Sequence, residues 1–349
     1  MKQRRLIGNC VFLATLLLIG QRTVSAQECP IAVTLAPTKA TYLQDDLLEV
    51  NLQFRNQGTT DELLKIVYPL LQNPRGVRLM FTPQGALVTS ANMRVFDAGL
   101  TGDPMRVPAG RAISTKVYLQ RFLDGFQPGR FDIPWEITVP CAGKPRPSTA
   151  RGLLTINIVR GENPNLQSEF AALVTRAGTF DEEAARYFKS EALRSGPEPG
   201  PVYFTETPLR VPEAIEALRV ATSPQVVPFL EQLAGVPDLY AQEVAFDALA
   251  RFKANPGARR FVFQSLESPT KASHFALGLQ VLTRWQELLP ENDVRSLMNK
   301  QDTATKLSVL GYLGRSQHPG YTAILEEYSR DQNPNVAAEA NRAATYLKR

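Results

Sequence analysis

The chain has 349 residues, 44% hydrophobic, 21% charged and 8% aromatic, which is long enough for two ordinary domains and too apolar for disorder. That balance excludes collagen-like, coiled-coil and polytopic membrane chains. The formal net charge is +5 and only two histidines are present, so a histidine-rich metal site or a histidine-activated nucleophile has little to draw on.

Residues 1–26 read as a secretory signal peptide. Lys2, Arg4 and Arg5 precede an apolar run from Leu6 to Gly20, and Val24-Ser25-Ala26 supplies the small residues of a cleavage site, placing the mature start at Gln27. The run is shorter than the roughly 20 residues that span a bilayer. Cys10 follows Asn9 and Cys29 follows Glu28, so neither has the small residue that lipidation needs in front of it. Removing the four bases of this segment from a total of 39 basic against 34 acidic residues leaves a net charge of +1. That withdraws the support for a nucleic-acid or other polyanionic partner. Cys29 and Cys141 then remain in an oxidising compartment, and one disulfide between them is expected. Neither lies in a CxxC pair or beside a histidine, so a structural bridge is the better reading than a reactive thiol.

From 27 to 160 the apolar period is two. IAVTLAP, LLEVNLQFRNQG, GVRLMFTPQG, ISTKVYLQRF, GRFDIPWEITVP and LLTINIVRG each alternate or run apolar, and most stop at Gly, Pro or Asn. In LLEVNLQF, Leu48, Val50, Leu52 and Phe54 share one face and Glu49, Asn51 and Gln53 the other. Trp135 suits a core plug. About seven strands in this length predict two packed sheets. TYLQDDLLEVNLQFRNQG and QPGRFDIPWEITV resemble the immunoglobulin-like domains of bacterial envelope proteins, which implies a β-sandwich, although Trp135 precedes the second cysteine and is not midway between the two. Asp45-Asp46 reads as a solvated turn in preference to a cation site.

Residues 161–204 read as a helical hairpin and a proline-rich strap. Beyond 205 the period becomes 3.6 and the sequence repeats. Leu218, Leu249, Leu282, Leu313 and Leu347 recur at spacings of 31, 33, 31 and 34, and four residues before them lie Ala214, Ala245, Gly278, Val309 and Ala343. Leu230/Leu233, Phe263/Leu266, Val294/Leu297 and Leu325/Tyr328 mark a companion helix in each unit. Pro224, Pro256 and Pro334 each follow a capping residue, Ser223, Asn255 and Asn333, and so begin helices. DQNPNVAAEANRAATYL, through Val336, Ala340, Ala343 and Leu347, and less closely VPDLYAQEVAFDALARF resemble HEAT-like repeats. The resemblance implies an α-solenoid over 205–349.

No Walker loop, dinucleotide fingerprint, HExxH helix, GxSxG elbow or EF-hand loop is present. Ser268 and Lys271 match S-x-x-K without the companion SDN and KTG elements, and read as a chance match. His274 and His318 lie in different repeats without acidic or cysteine neighbours at ligand spacing. Arginine follows the repeat leucine by two residues at Arg251, Arg284, Arg315 and Arg349. Stacked units would align the first three as a positive ladder with steps of about 10 Å, although cations at helix C-termini are also favoured by the helix dipole. Arg259-Arg260 opens a helix against that preference and joins the candidate binding residues. The expected architecture is thus a multidomain chain, an all-β Ig-like sandwich followed by an all-α HEAT-like α-solenoid. The expected function is non-enzymatic protein binding at the bacterial cell envelope, secreted or periplasmic, with a protein partner, no cofactor, no metal and no stable membrane insertion. The alternative is an envelope enzyme, or its accessory subunit, with a site at the interdomain junction.

Overall fold

The computed structural model describes residues 28–64, 76–90, 105–179, 210–267, 271–299 and 302–347. The expected signal peptide, residues 180–209 with most of the proline-rich strap, Ser268 and Arg349 lie outside the described residues.

The first part is built of strands: β1 (Ile31–Pro37), β2 (Tyr42–Leu43), β3 (Glu49–Asn56), β4 (Glu62–Leu64), β5 (Arg78–Phe81) and β6 (Val88–Thr89). After these come β7 (Met105–Val107), β8 (Ala112–Tyr118), β9 (Leu123–Asp124), β10 (Gly129–Val139) and β11 (Ser148–Val159). The alternation read in β3 is real: Val50, Leu52 and Phe54 are fully buried and the residues between them are not. β1 and β8 flank it antiparallel, setting Val33 and Ile113 opposite Phe54. Trp135 is buried on β10 opposite Gly152 of β11. A Cβ on that glycine would meet the indole at 2.7 Å, so only glycine lets the ring lie flat across the strand. Cys29, just ahead of β1, is bonded to Cys141, just past β10, with Cα atoms 5.4 Å apart.

The immunoglobulin-like sandwich is corrected by the pairing. The strands divide into sheets ordered β1-β3-β8 and β2-β11-β10-β5, with separate ribbons β4-β7 and β6-β9, and β2 runs parallel to β11. Period-two alternation identifies a strand and its buried face; it says nothing about the neighbour, which the turns and packing choose. The expected fold class, sandwich then HEAT-like solenoid, gives way to a mixed α/β chain whose β-rich first part precedes a helical part with ten α-helices among the described residues.

Those helices are α1 (Leu166–Ala177), α2 (Arg210–Val220), α3 (Val227–Ala234), α4 (Leu239–Leu249) and α5 (Pro256–Glu267). They continue as α6 (Ala272–Trp285), α7 (Glu291–Met298), α8 (Thr303–Ser316), α9 (Thr322–Tyr328) and α10 (Pro334–Leu347). Sequence neighbours pack as hairpins, α3 on α4, α5 on α6, α7 on α8 and α9 on α10, while α2, α4, α6, α8 and α10 each touch the next in that series. Leu218, Leu249, Leu282 and Leu313 are fully buried in one continuous apolar core. The small residues four positions earlier explain the approach: a Cβ on Gly278 would lie 2.2 Å from Ser265 Oγ of α5. Capping follows the sequence as well. Asn255 Oδ1 accepts from the backbone N–H of Gly257 and Ala258 at 2.9 and 3.1 Å, and Asn333 Oδ1 from Asn335 at 3.0 Å. No helix among the described residues is long and apolar enough to cross a membrane.

Candidate functional site

Helix α2 carries Glu213, Glu216 and Arg219 at three-residue intervals among Ala214, Ile215, Ala217 and Leu218, all fully buried. A helix enclosed on nearly every side must partner its charges within the protein. Glu213 accepts from Thr115 Oγ1 at 2.7 Å and from the Lys116 N–H at 2.9 Å. Because β8 is the outer strand of its sheet, this carboxylate covers part of an open edge. Burial raises the Glu213 carboxyl, and those two hydrogen bonds oppose the rise. One turn on, Glu216 meets Arg121 at 3.3 Å and Arg219 at 3.6 Å, and Arg219 Nε donates to Asp247 Oδ2 at 3.2 Å. Burial pushes the Glu216 carboxyl up against the pull of both arginines, and pushes the Arg121 guanidinium down. The Tyr240 hydroxyl is enclosed beside them, and burial raises it too. Tyr118 of β8 packs on Ala217 and Val220, with Leu47 and Leu173 at the margin. Among the described residues, the side chains at this junction pack on one another and form mutual ion pairs.

The arginines singled out by spacing fall into separate environments. Arg251 donates to the carbonyl of Arg219 and lies 5.7 Å from the Phe252 ring centroid. Arg284 donates to Asp247, whose other oxygen holds Arg219. These two are thus drawn into the network that starts at Glu216, while Arg315 is exposed between the fields of Glu339 and Arg342. The Arg219 carbonyl and Asp247 engage the first two, and the Glu339 carboxylate acts on the third. The adjacent pair diverges. Arg259 makes two hydrogen bonds to Glu287, at 3.1 and 2.9 Å, whereas Arg260 is exposed at the rim of a cleft.

That cleft, about 440 Å³, lies where the start of α1, helix α3 and the start of α5 converge. Val227, Pro228 and Phe229 form an apolar floor. Gln167, Gln225 and Asn255 place amides around it, and Glu231 and Arg260 add one charge of each sign. Burial raises the Glu231 carboxyl, with Arg260 pulling the other way. Sequence reasoning marked Arg260 and missed Glu231. The available signal was the acid in the last turn of α3, the helix end that favours cations. The junction charges were legible as E-x-x-E-x-x-R inside a run otherwise apolar enough to be core.

Other candidates have structural duties. Lys271 donates to the carbonyl of Gly235 at 2.7 Å and to that of Val236, fastening the end of α3. His274 Nε2 lies 2.9 Å from the Ala234 carbonyl, and His318 Nδ1 accepts from the Gly320 N–H at 3.2 Å. Asp45-Asp46 is a turn, but not a solvated one. Asp46 is buried and binds the Leu43 N–H, Lys39 and the Asn163 amide, and Asp45 accepts from the Asn163 N–H at 2.9 Å. The pair pins the strand region to the segment that leads into α1. Among the described residues no group of three or more His, Cys, Asp or Glu is placed to hold a metal.

No protein-family model matches the chain. No curated protein sequence matches it either. Solved structures similar to it include Salmonella alpha-2-macroglobulin reacted with methylamine, at 10% identity and TM-score 0.23, covering 91% of this chain and 26% of that one. The native conformation of E. coli alpha-2-macroglobulin is similar at 11% identity and TM-score 0.22, covering 91% and 22%. The E. coli protein from domain MG7 to its C-terminus matches at 12% identity and TM-score 0.24, covering 92% and 55%. The chain spans about a quarter of the length of the first two, and scores this low establish no shared fold.

Proposed function

We propose that the chain is a protein-binding module that works outside the cytoplasm and meets its partner at the cleft between α1, α3 and α5. The observation that carries this reading is the cleft itself: an apolar floor edged by amides and by charges of both signs, which is the make-up of a protein-contact surface. The Cys29–Cys141 disulfide supports the compartment, since such bonds persist in oxidising surroundings. Site-specific cross-linking in cells that make the protein tests it. A benzoylphenylalanine at Gln225, on the cleft, should form an adduct of defined mass with one partner protein, while the same group at exposed Asn341 on α10 should not. Absence of an adduct at Gln225, or the same adducts from both positions, would overturn the reading.

A further inference from the structure

The chemistry of this cleft narrows the class of partner, an inference that rests on the protein-binding reading above. Neighbouring arginines on α5 are treated in opposite ways. Arg259 is committed to Glu287 and lies 5.6 and 5.8 Å from the centroids of Phe263 and Trp285. Arg260 instead turns to the cleft, where Glu231 of α3 attracts it from the other side. Glu231 opposes its own helix from the last turn of α3, and Arg260 lies just past the first turn of α5, where the helix dipole gives it no benefit. Neither placement improves the stability of its helix, which is the pattern expected where a charge serves recognition.

Between these charges lies space of a particular kind. Pro228 and Phe229 offer apolar surface, Gln225 offers an amide with a donor and an acceptor that match the N–H and C=O of a main chain, and Asn255 offers the donor of its amide. Asn255 is held in place, because its Oδ1 already accepts from Gly257 and Ala258. A cleft of about 440 Å³ lies within the range of roughly 300 to 1,000 Å³ typical of ligand sites, room for a few residues of chain and not for a folded domain. Charges of both signs argue against a polyanion. We propose that the cleft binds an extended segment of a partner protein that carries an acidic side chain for Arg260 and, a few residues away, a basic one for Glu231, with apolar residues between them against Pro228 and Phe229.

Gly257 provides a way to fill the cleft while leaving both charged residues in the sequence. A Cβ there would lie 3.6 Å from both Glu231 Oε1 and Val227 Cγ1, and 3.1 Å from Asn255 Oδ1, so a leucine would occupy the ligand's space. The experiment pans a displayed library of random dodecapeptides on the full chain, then measures the synthesised peptides by fluorescence anisotropy. Recovered peptides should pair an acid with a base. Arg260→Glu should weaken them by at least about tenfold through like-charge contact, and Gly257→Leu should weaken them comparably. Fresh panning on Glu231→Arg/Arg260→Glu should return the opposite order of acid and base. Thermal melts establish that each variant is folded. Peptides that bind wild type, Arg260→Glu and Gly257→Leu within about twofold of one another would overturn the peptide-segment proposal, and the cross-linking at Gln225 would separately decide whether a partner protein meets the cleft. A library that yields no peptide also overturns the cleft proposal, and the cross-linking at Gln225 then decides the wider reading by itself.

Discussion

At Gly278 a single methyl has nowhere to go. Ser265 Oγ would stand 2.2 Å from a new Cβ and Leu266 Cδ2 3.1 Å from it, and Ser265 is fixed by its own hydrogen bond to the Val262 carbonyl. Gly278→Ala should therefore cost about 1–3 kcal/mol by overpacking. Adding Ser265→Ala should return part of that loss, and a double-mutant cycle from urea melts checks the coupling. His274 gives a different residue-scale test. Its Nε2 faces a carbonyl, which only accepts, so the neutral ring carries its proton there. Burial, with Lys271 adding to it, lowers the ring below 6.5. In the window between that lowered value and 6.5 the unfolded chain holds a proton the folded chain lacks. The histidine's contribution is thus complete above the window and is lost as pH falls through it. Wild-type stability should drop as pH falls below about 6.5, and the drop should be shallower in His274→Gln, which keeps a donor but does not titrate. At this scale the sequence was informative where size alone decides, as at Gly278 and its small counterparts. It was silent on Glu231, because nothing in a local window tells which charges a distant helix will face.

Among elements, the boundaries and faces were legible and the partners were not. Proline after Ser223, Asn255 or Asn333 marked helix starts because capping is a local reaction of a side chain with the next turn. Alternation marked the buried face of β3 for the same reason, yet it could not reveal that β2 joins β11 in parallel, since strand order is set by contacts far along the chain. The cysteines supply one such distant contact, tying the entry of β1 to the exit of β10 across a separation of 112 residues. Replacing both with serine should cost about 2–5 kcal/mol, read as a lower urea midpoint in which wild type treated with a reductant matches the variant.

At the scale of the whole molecule, one of the buried contacts between the strand and helix regions is ionic. Arg121 reaches Glu216 from the strand side, with exposures of 5% and 2% for the two side chains. Arg121→Met should cost about 3–5 kcal/mol, because it leaves the Glu216 carboxylate enclosed with one cation in place of two. Arg121→Met/Glu216→Leu should recover most of the loss, since a well-packed apolar pair often equals a buried ionic one. If the junction couples the two regions, calorimetry should show one transition for wild type and for the double variant, and a split or broadened transition for Arg121→Met. That contact was hidden in the sequence, where Arg121 stands in an unremarkable turn and only the helix side carried a visible pattern of charge.

The bond between Cys29 and Cys141 also decides how the molecule bears a mechanical load. A pull applied near residue 28 enters at Cys29 and crosses at once to the end of β10, so tension never travels through the strands between them. The intervening chain forms a slack loop of about 380 Å if drawn straight at roughly 3.4 Å per residue. In an optical trap that length should stay hidden until a reductant is added, and should then be released as one additional step of extension.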